Sequence, residues 1–282
     1  MKKQLLSILS LLPLCLFAQN VHIKGTVGNP AVKKVEIYRP LRGFTFDHFK
    51  EAWTEIPVVN GKFSADLTVG QPEIASIWIE YDTAKKAYSQ FLFLKKGYSL
   101  EMEFTPAADG FHLTTRGQGA GDNQASGMHG SISFDKFYAS KDTLPFNAYA
   151  HIVSEYRRDS LALQEYISKN KPSPDFRSAW QYEMAYYVPA NFFSFSENYK
   201  YSIREAFARN AGAWQGLQKK LLATQPLSND AALGSPVYRH LLRTYILRTK
   251  EGLWKNAWQN RAAFLQEWYG PDTTTAWQTY QA

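Results

Sequence analysis

The chain predicts an α+β, multi-domain protein: an N-terminal antiparallel β-sandwich of about eight strands followed by an all-α helical domain. Three observations carry that expectation. Short runs with apolar–polar alternation follow one another from Val21, separated by Gly, Pro and Asn turns. From Asn147 onward apolar residues recur at helical spacing instead. The stretch Phe91 to Asn123 lies between the two patterns and ends in the glycine-rich Gly117-Gln118-Gly119-Ala120-Gly121. The expected domains are therefore 19–123 and 124–282, after a leader over 1–18.

The leader has three parts. Lys2 and Lys3 form a basic start, Leu5 to Phe17 an apolar run, and Ala18 precedes polar Gln19 as a cleavage site. The run is shorter than the roughly 20 apolar residues of a membrane span, and Pro13 interrupts it. Its secretory character places the mature chain in the periplasm or on the outer cell surface, not spanning the membrane after cleavage. Cys15 is the single cysteine of the chain. Leu14 before it does not fit a lipid-attachment motif, which needs a small residue there. With Cys15 removed, no thiol remains for a disulfide or a nucleophile.

The strands follow in order. Val21 to Val27 alternates and stops at Gly28-Asn29-Pro30; Val35 to Arg39 is the next run. WTEIPVV and KFSADLTV flank Asn60-Gly61, the pair that best tolerates the positive φ of a hairpin turn. Glu73 to Tyr81 puts Ile77 and Ile79 on one side, Trp78 and Glu80 on the other. SQFLFL and SLEMEFT lie around Lys95-Lys96-Gly97, with Leu100, Met102 and Phe104 inward and Glu101 and Glu103 outward. A further strand follows Asp109-Gly110. The glycine-rich segment has no βαβ context and carries Asp122 at its sixth position, so it reads as a flexible interdomain exit.

Helices are expected from Asn147 to Asn170, from Ser173-Pro174-Asp175 to Pro189, and over Lys200 to Thr224 with a soft point at Gly212. Ser235-Pro236 opens a fourth, with Val237, Tyr238, Leu241, Leu242, Tyr245 and Ile246 as its stripe. A fifth carries Trp254, Trp258 and Trp268 to Gly270-Pro271. The final TTTAWQTYQA resembles the opening turns of a sixth, so the helical domain is expected to be incomplete at its C-terminus.

Catalytic patterns are sparse. The six histidines are scattered, without HExxH or cysteine partners, so no metal site or cofactor is expected. GxSxG is absent, and the two SxxK matches, Ser133 to Lys136 and Ser168 to Lys171, lack their companion motifs. Asp47-His48 reads as a solvated loop pair. The net charge of +7 is spread in pairs such as Lys85-Lys86 and Arg157-Arg158 without forming a stripe, which argues against nucleic acid. Aromatics make up 15% of the chain, and Trp180, Trp254, Trp258 and Trp268 are the candidate binding residues of an aromatic groove.

The segments IKGTV, VNGKF and FLKKGYSLEMEF, then GQGAGDNQ, resemble the N-terminal domain of TlpA-like thiol–disulfide oxidoreductases of the bacterial envelope. NKPSPDF and QPLSNDAALGSPVYRHLLRTYI are similar to the helical spacer of that family. The resemblance implies a following thioredoxin-like domain with a WCxxC pair. No residue of this chain matches that pair, and the family's catalytic residues cannot be carried over. The expected function is a non-catalytic extracytoplasmic accessory module whose partner is an envelope protein or the missing thioredoxin-like domain. The alternative is a secreted glycan- or peptide-binding protein using the aromatic groove of the helical domain.

Overall fold

The computed structural model describes residues 20–40, 52–81, 87–108, 110–124 and 132–253. The leader, the Asp47-His48 pair, His129, Trp254, Trp258, Trp268 and the sixth helix lie outside them, and so does the fifth helix as expected from its tryptophans.

Among the described residues, eight strands form two four-stranded sheets. They are β1 (Asn20–Val27), β2 (Lys34–Tyr38), β3 (Trp53–Pro57), β4 (Lys62–Thr68), β5 (Glu73–Glu80), β6 (Ala87–Leu94), β7 (Ser99–Ala107) and β8 (Gly110–Gln118). The first sheet has the order β4-β1-β7-β8 and the second β3-β2-β5-β6. Alternation drives this: Val21, Ile23, Val27, Leu100, Met102 and Phe104 of the first sheet are buried, as are Val35, Ile37, Ile77, Ile79 and Leu92 of the second. The sheets meet through Tyr88, whose ring packs edge-on against Phe104 and Phe111 at 6.2 and 5.9 Å.

Two features differ from the sequence reading. β1 and β7 pair in parallel, the other ladders being antiparallel. The turn at Asn60-Gly61 forms, with φ of 52° and 71° and two backbone bonds of 2.8 and 3.0 Å between Val59 and Lys62. It makes no hairpin, however: β3 joins the second sheet and β4 the first. The turn at Lys95-Lys96-Gly97 likewise passes from β6 in one sheet to β7 in the other. Each run is amphipathic enough to choose either sheet, so turn chemistry does not decide its partner.

The helices are α1 (Asp135–Ser140), α2 (Pro145–Asn170), α3 (Pro174–Arg209), α4 (Ala211–Leu222) and α5 (Pro236–Leu253). α2 and α5 begin close to their expected starts, although Ile246 of the stripe expected on α5 is exposed, while α1 carries no strong local signal. α3 overturns the expected stop at Pro189. An interior proline forfeits a backbone bond and costs about 3 kcal/mol. Burial of Tyr186, Tyr187, Ala190, Phe192 and Phe193 on both sides of it outweighs that loss. The helix is interrupted later, at Arg204, where φ is 33° and ψ −102°, and the expected third helix is divided at Asn210.

The chain groups into two compact units. One holds all eight strands together with Leu161–Trp180; the other holds the described residues of 132–160 and 181–253. The first is therefore not closed by residue 123, because Phe176 and Trp180 pack on the strands. The second has one core around Tyr187, Phe192, Phe195, Tyr199 and Trp214 and another around Tyr186, Phe193, Tyr238 and Leu241.

Candidate functional site

The outward residues of the first sheet are polar or charged, because their neighbours in each strand supply the core. Register sets them in rows. Ser64, Lys24, Glu101 and Arg116 form one; Lys62, Thr26, Glu103 and Thr114 form the next. These rows floor an open cleft of about 620 Å³, rimmed by Pro57 and Val59. Lys24 faces Glu101 at 3.7 Å, and Arg116 reaches diagonally to Glu103 at 3.8 Å. Just beyond, His22 contacts Asp66 at 3.0 Å. All of these carboxylates are more than half exposed, so water screens each pair. The arrangement suits recognition of a charged surface.

Gly25 supports the cleft from beneath. Its register partner is Phe63, and a Cβ on Gly25 would stand 2.6 Å from the Phe63 ring and 2.3 Å from the Met102 carbonyl. The ring occupies the space a side chain would take.

The glycine-rich segment is an ordered clamp within the first unit, and not the flexible exit its composition suggests. Gly117 and Gly119 take φ of 94° and 99°, and a Cβ on either would lie within about 2.3 Å of Ser99 O or the Tyr98 ring. The 3₁₀ turn Ala120–Asp122 follows. Asp122, 3% exposed, accepts from the Tyr98 hydroxyl, from Ser173 N–H at 2.7 Å and from Ser173 Oγ at 2.5 Å. Burial, and then the bond to Asp122, push the Tyr98 phenol above its ordinary value. Asn123 accepts from Phe93 N–H at 2.7 Å and donates to Phe93 O at 2.9 Å, which satisfies part of the edge of β6. No phosphate-binding geometry exists here; the polar groups serve the fold.

Trp180 is 2% exposed and packs on Phe91 at 5.0 Å, so it belongs to the core of the strand-rich unit and lines no groove. The other three candidate tryptophans, Trp254, Trp258 and Trp268, lie outside the described residues. Trp214, Phe192 and Phe195 are likewise core.

Nucleophile–base arrangements resolve into capping and packing. Ser133 donates to Asp135 at 2.9 Å, and Lys136 faces His151 at 3.3 Å, so the SxxK pair does not form. His240 contacts Ser194 Oγ at 3.0 Å, yet Ser194 lies in the middle of α3, where backbone N–H groups are already used by the helix. Among the described residues there is no group of three or more potential metal ligands, and no helix is long and apolar enough to cross a membrane. Comparison of the chain with protein-family models, curated proteins and solved structures returned no match.

Proposed function

We propose that this chain is a non-catalytic interaction module of the cell envelope, akin to the part that TlpA-like oxidoreductases carry ahead of their redox domain. It works outside the cytoplasm, in the periplasm or on the outer surface. Its partner, an envelope protein or a thioredoxin-like domain, docks on the charged face of the first sheet. The observation that carries this reading is the cleft itself. Lys24, Glu101, Glu103 and Arg116 are laid out in alternating sign on a rigid sheet, exposed and ready to exchange their mutual pairs for a partner's. The only thiol of the sequence is Cys15, inside the expected leader, so thiol–disulfide exchange falls to the partner.

The test has two arms. Purified chain is expected to show no reduction of insulin disulfides, and turnover would overturn the reading. Binding to an isolated thioredoxin-like domain of the TlpA type, followed by calorimetry, is expected to weaken with added salt and with Lys24→Glu or Arg116→Glu. Binding indifferent to both charge reversals would remove the cleft from the proposal.

A further inference from the structure

β4, at the edge of the first sheet, carries a short open stretch of backbone. Val27 N–H donates to Gly61 O at 2.8 Å, so these two form a hydrogen-bonded pair at the start of the β1–β4 ladder. Bonded pairs alternate along an antiparallel ladder, and Phe63, Ala65 and Leu67 therefore turn their backbone groups to β1. Lys62, Ser64, Asp66 and Thr68 turn theirs to the free side. Both ends of that side are already occupied. Lys62 exchanges two bonds with Val59, at 2.8 and 3.0 Å, and Thr68 O accepts from Arg39 Nη2 at 2.9 Å. Between them, the N–H and C=O of Ser64 and of Asp66 have no partner among the described residues. Ser64 and Asp66 are exposed, and Ala65 is half-buried although its β1 partner Ile23 is fully buried, so this side of β4 is open.

We propose that two copies of the chain pair antiparallel through this window of β4, about a twofold axis at Ala65, and join their first sheets edge to edge. A second copy is the occupant because the window matches its own image. With Ala65 opposite Ala65, Ser64 stands opposite Asp66 of the second copy, and Asp66 opposite its Ser64. Each such pair exchanges N–H···O bonds in both directions, so every open group finds a partner. Lys62 falls opposite Thr68, so the occupied ends meet each other. A register shifted by two residues would set open groups against occupied ones.

The side chains agree with that register. On the outward face the Ser64 hydroxyl meets the Asp66 carboxylate opposite, and Lys62 meets neutral Thr68, so no like charges stand directly opposite. The two Asp66 carboxylates meet only diagonally, each beside its own copy's His22 at 3.0 Å. On the inward face Phe63 stands opposite Leu67, on either side of the small Ala65. The window is three residues long, far short of a standard interface of roughly 1,200–2,000 Å², so the dimer is reversible and concentration-dependent. Lys24, Glu101 and Arg116 of the cleft take no part, and the inference stands independently of the docking reading.

Sedimentation of the purified chain from micromolar to millimolar concentration is expected to pass from monomer to dimer. Over the same range, amide hydrogen exchange at Ser64 and Asp66 should slow, while Lys62, already bonded to Val59, should not change. Ser64→Pro removes a donor on the free side and leaves the β1 ladder intact, a place where an edge strand accepts proline. It takes two bonds from the dimer and is expected to weaken it by about tenfold or more. Lys24→Glu, in the cleft, should leave dimerisation unchanged. Circular dichroism checks that each variant folds; if Ser64→Pro does not, the exchange measurement on the parent decides. A chain still monomeric at millimolar concentration overturns the proposal, and so does a dimer that persists in folded Ser64→Pro. Protection of Ser64 and Asp66 that appears only when another protein is added overturns it equally, in favour of a strand from that protein.

Discussion

Asp122 and Ser173, 51 residues apart, are joined by two hydrogen bonds. Ser173 caps α3, its Oγ accepting from Phe176 N–H at 3.2 Å, and the same hydroxyl donates to the buried carboxylate. The second unit repeats the device. Ser235 caps α5 through Tyr238 N–H at 3.1 Å and donates to the buried Glu183 at 2.8 Å. In each case a serine–proline helix start is held by an acid far away in the chain, where the positive end of the helix favours a carboxylate.

Asp122→Ala leaves the Tyr98 hydroxyl and both Ser173 donors without their acceptor. The expected loss is about 3 kcal/mol or more, since each buried donor left unsatisfied costs about 1–3 kcal/mol. Asp122→Asn keeps one acceptor oxygen and should cost less. Urea unfolding followed by circular dichroism measures both, and equal stabilities for parent and Asp122→Ala would contradict the clamp.

Glu183 and Ser235 should behave as a coupled pair. Ser235→Ala alone is expected to cost about 1 kcal/mol as a lost cap. A double-mutant cycle with Glu183→Gln should return a coupling of about 0.5–3 kcal/mol. Strict additivity would mean that the contact contributes nothing to stability.

Gly25→Ala forces a methyl group into the Phe63 ring and the Met102 carbonyl, at an expected cost of about 1–3 kcal/mol. Phe63→Leu withdraws the ring and should recover part of that loss in the double variant. A thermal melt series of the four proteins decides it. Recovery tests the direct clash, because a general intolerance of strand β1 would not respond to Phe63.

Alkaline stability follows from buried phenols. Burial pushes Tyr166, whose hydroxyl donates to Gly121 O at 2.6 Å, from 10.0 up to about 12. Tyr199, donating to Phe137 O at 2.7 Å, is raised from 10.0 to about 12 by the same cause. Below pH 10 neither state ionises and the native contacts keep their full value. Between pH 10 and 12 the unfolded chain releases these protons and the folded one retains them, so stability falls as pH rises. Tyr166→Phe should flatten that fall while lowering stability at neutral pH through its lost hydrogen bond. Unfolding in urea across this range, with phenolate absorbance as a second readout, measures it.

Local rules made much of the chain legible. Inward Leu100, Met102 and Phe104 against outward Glu101 and Glu103 follow from the two-residue strand period, and Ser173-Pro174 and Ser235-Pro236 announce helix starts within four residues. Sheet membership was not legible, because the amphipathic runs on either side of Asn60-Gly61 suit both sheets and the parallel β1–β7 ladder joins distant segments. Pro189 illustrates the same limit: its local cost is visible, and the burial that outweighs it is not.

By itself the sequence determined the class of the protein, strands first and helices after, since periodicity and capping are short-range. Only the tertiary structure decided what the conspicuous residues are for. Asp122, at the end of a glycine-rich stretch, became a buried clamp, and Trp180 became core. Burial is the physical reason, because whether an aromatic packs or binds depends on which distant residues cover it.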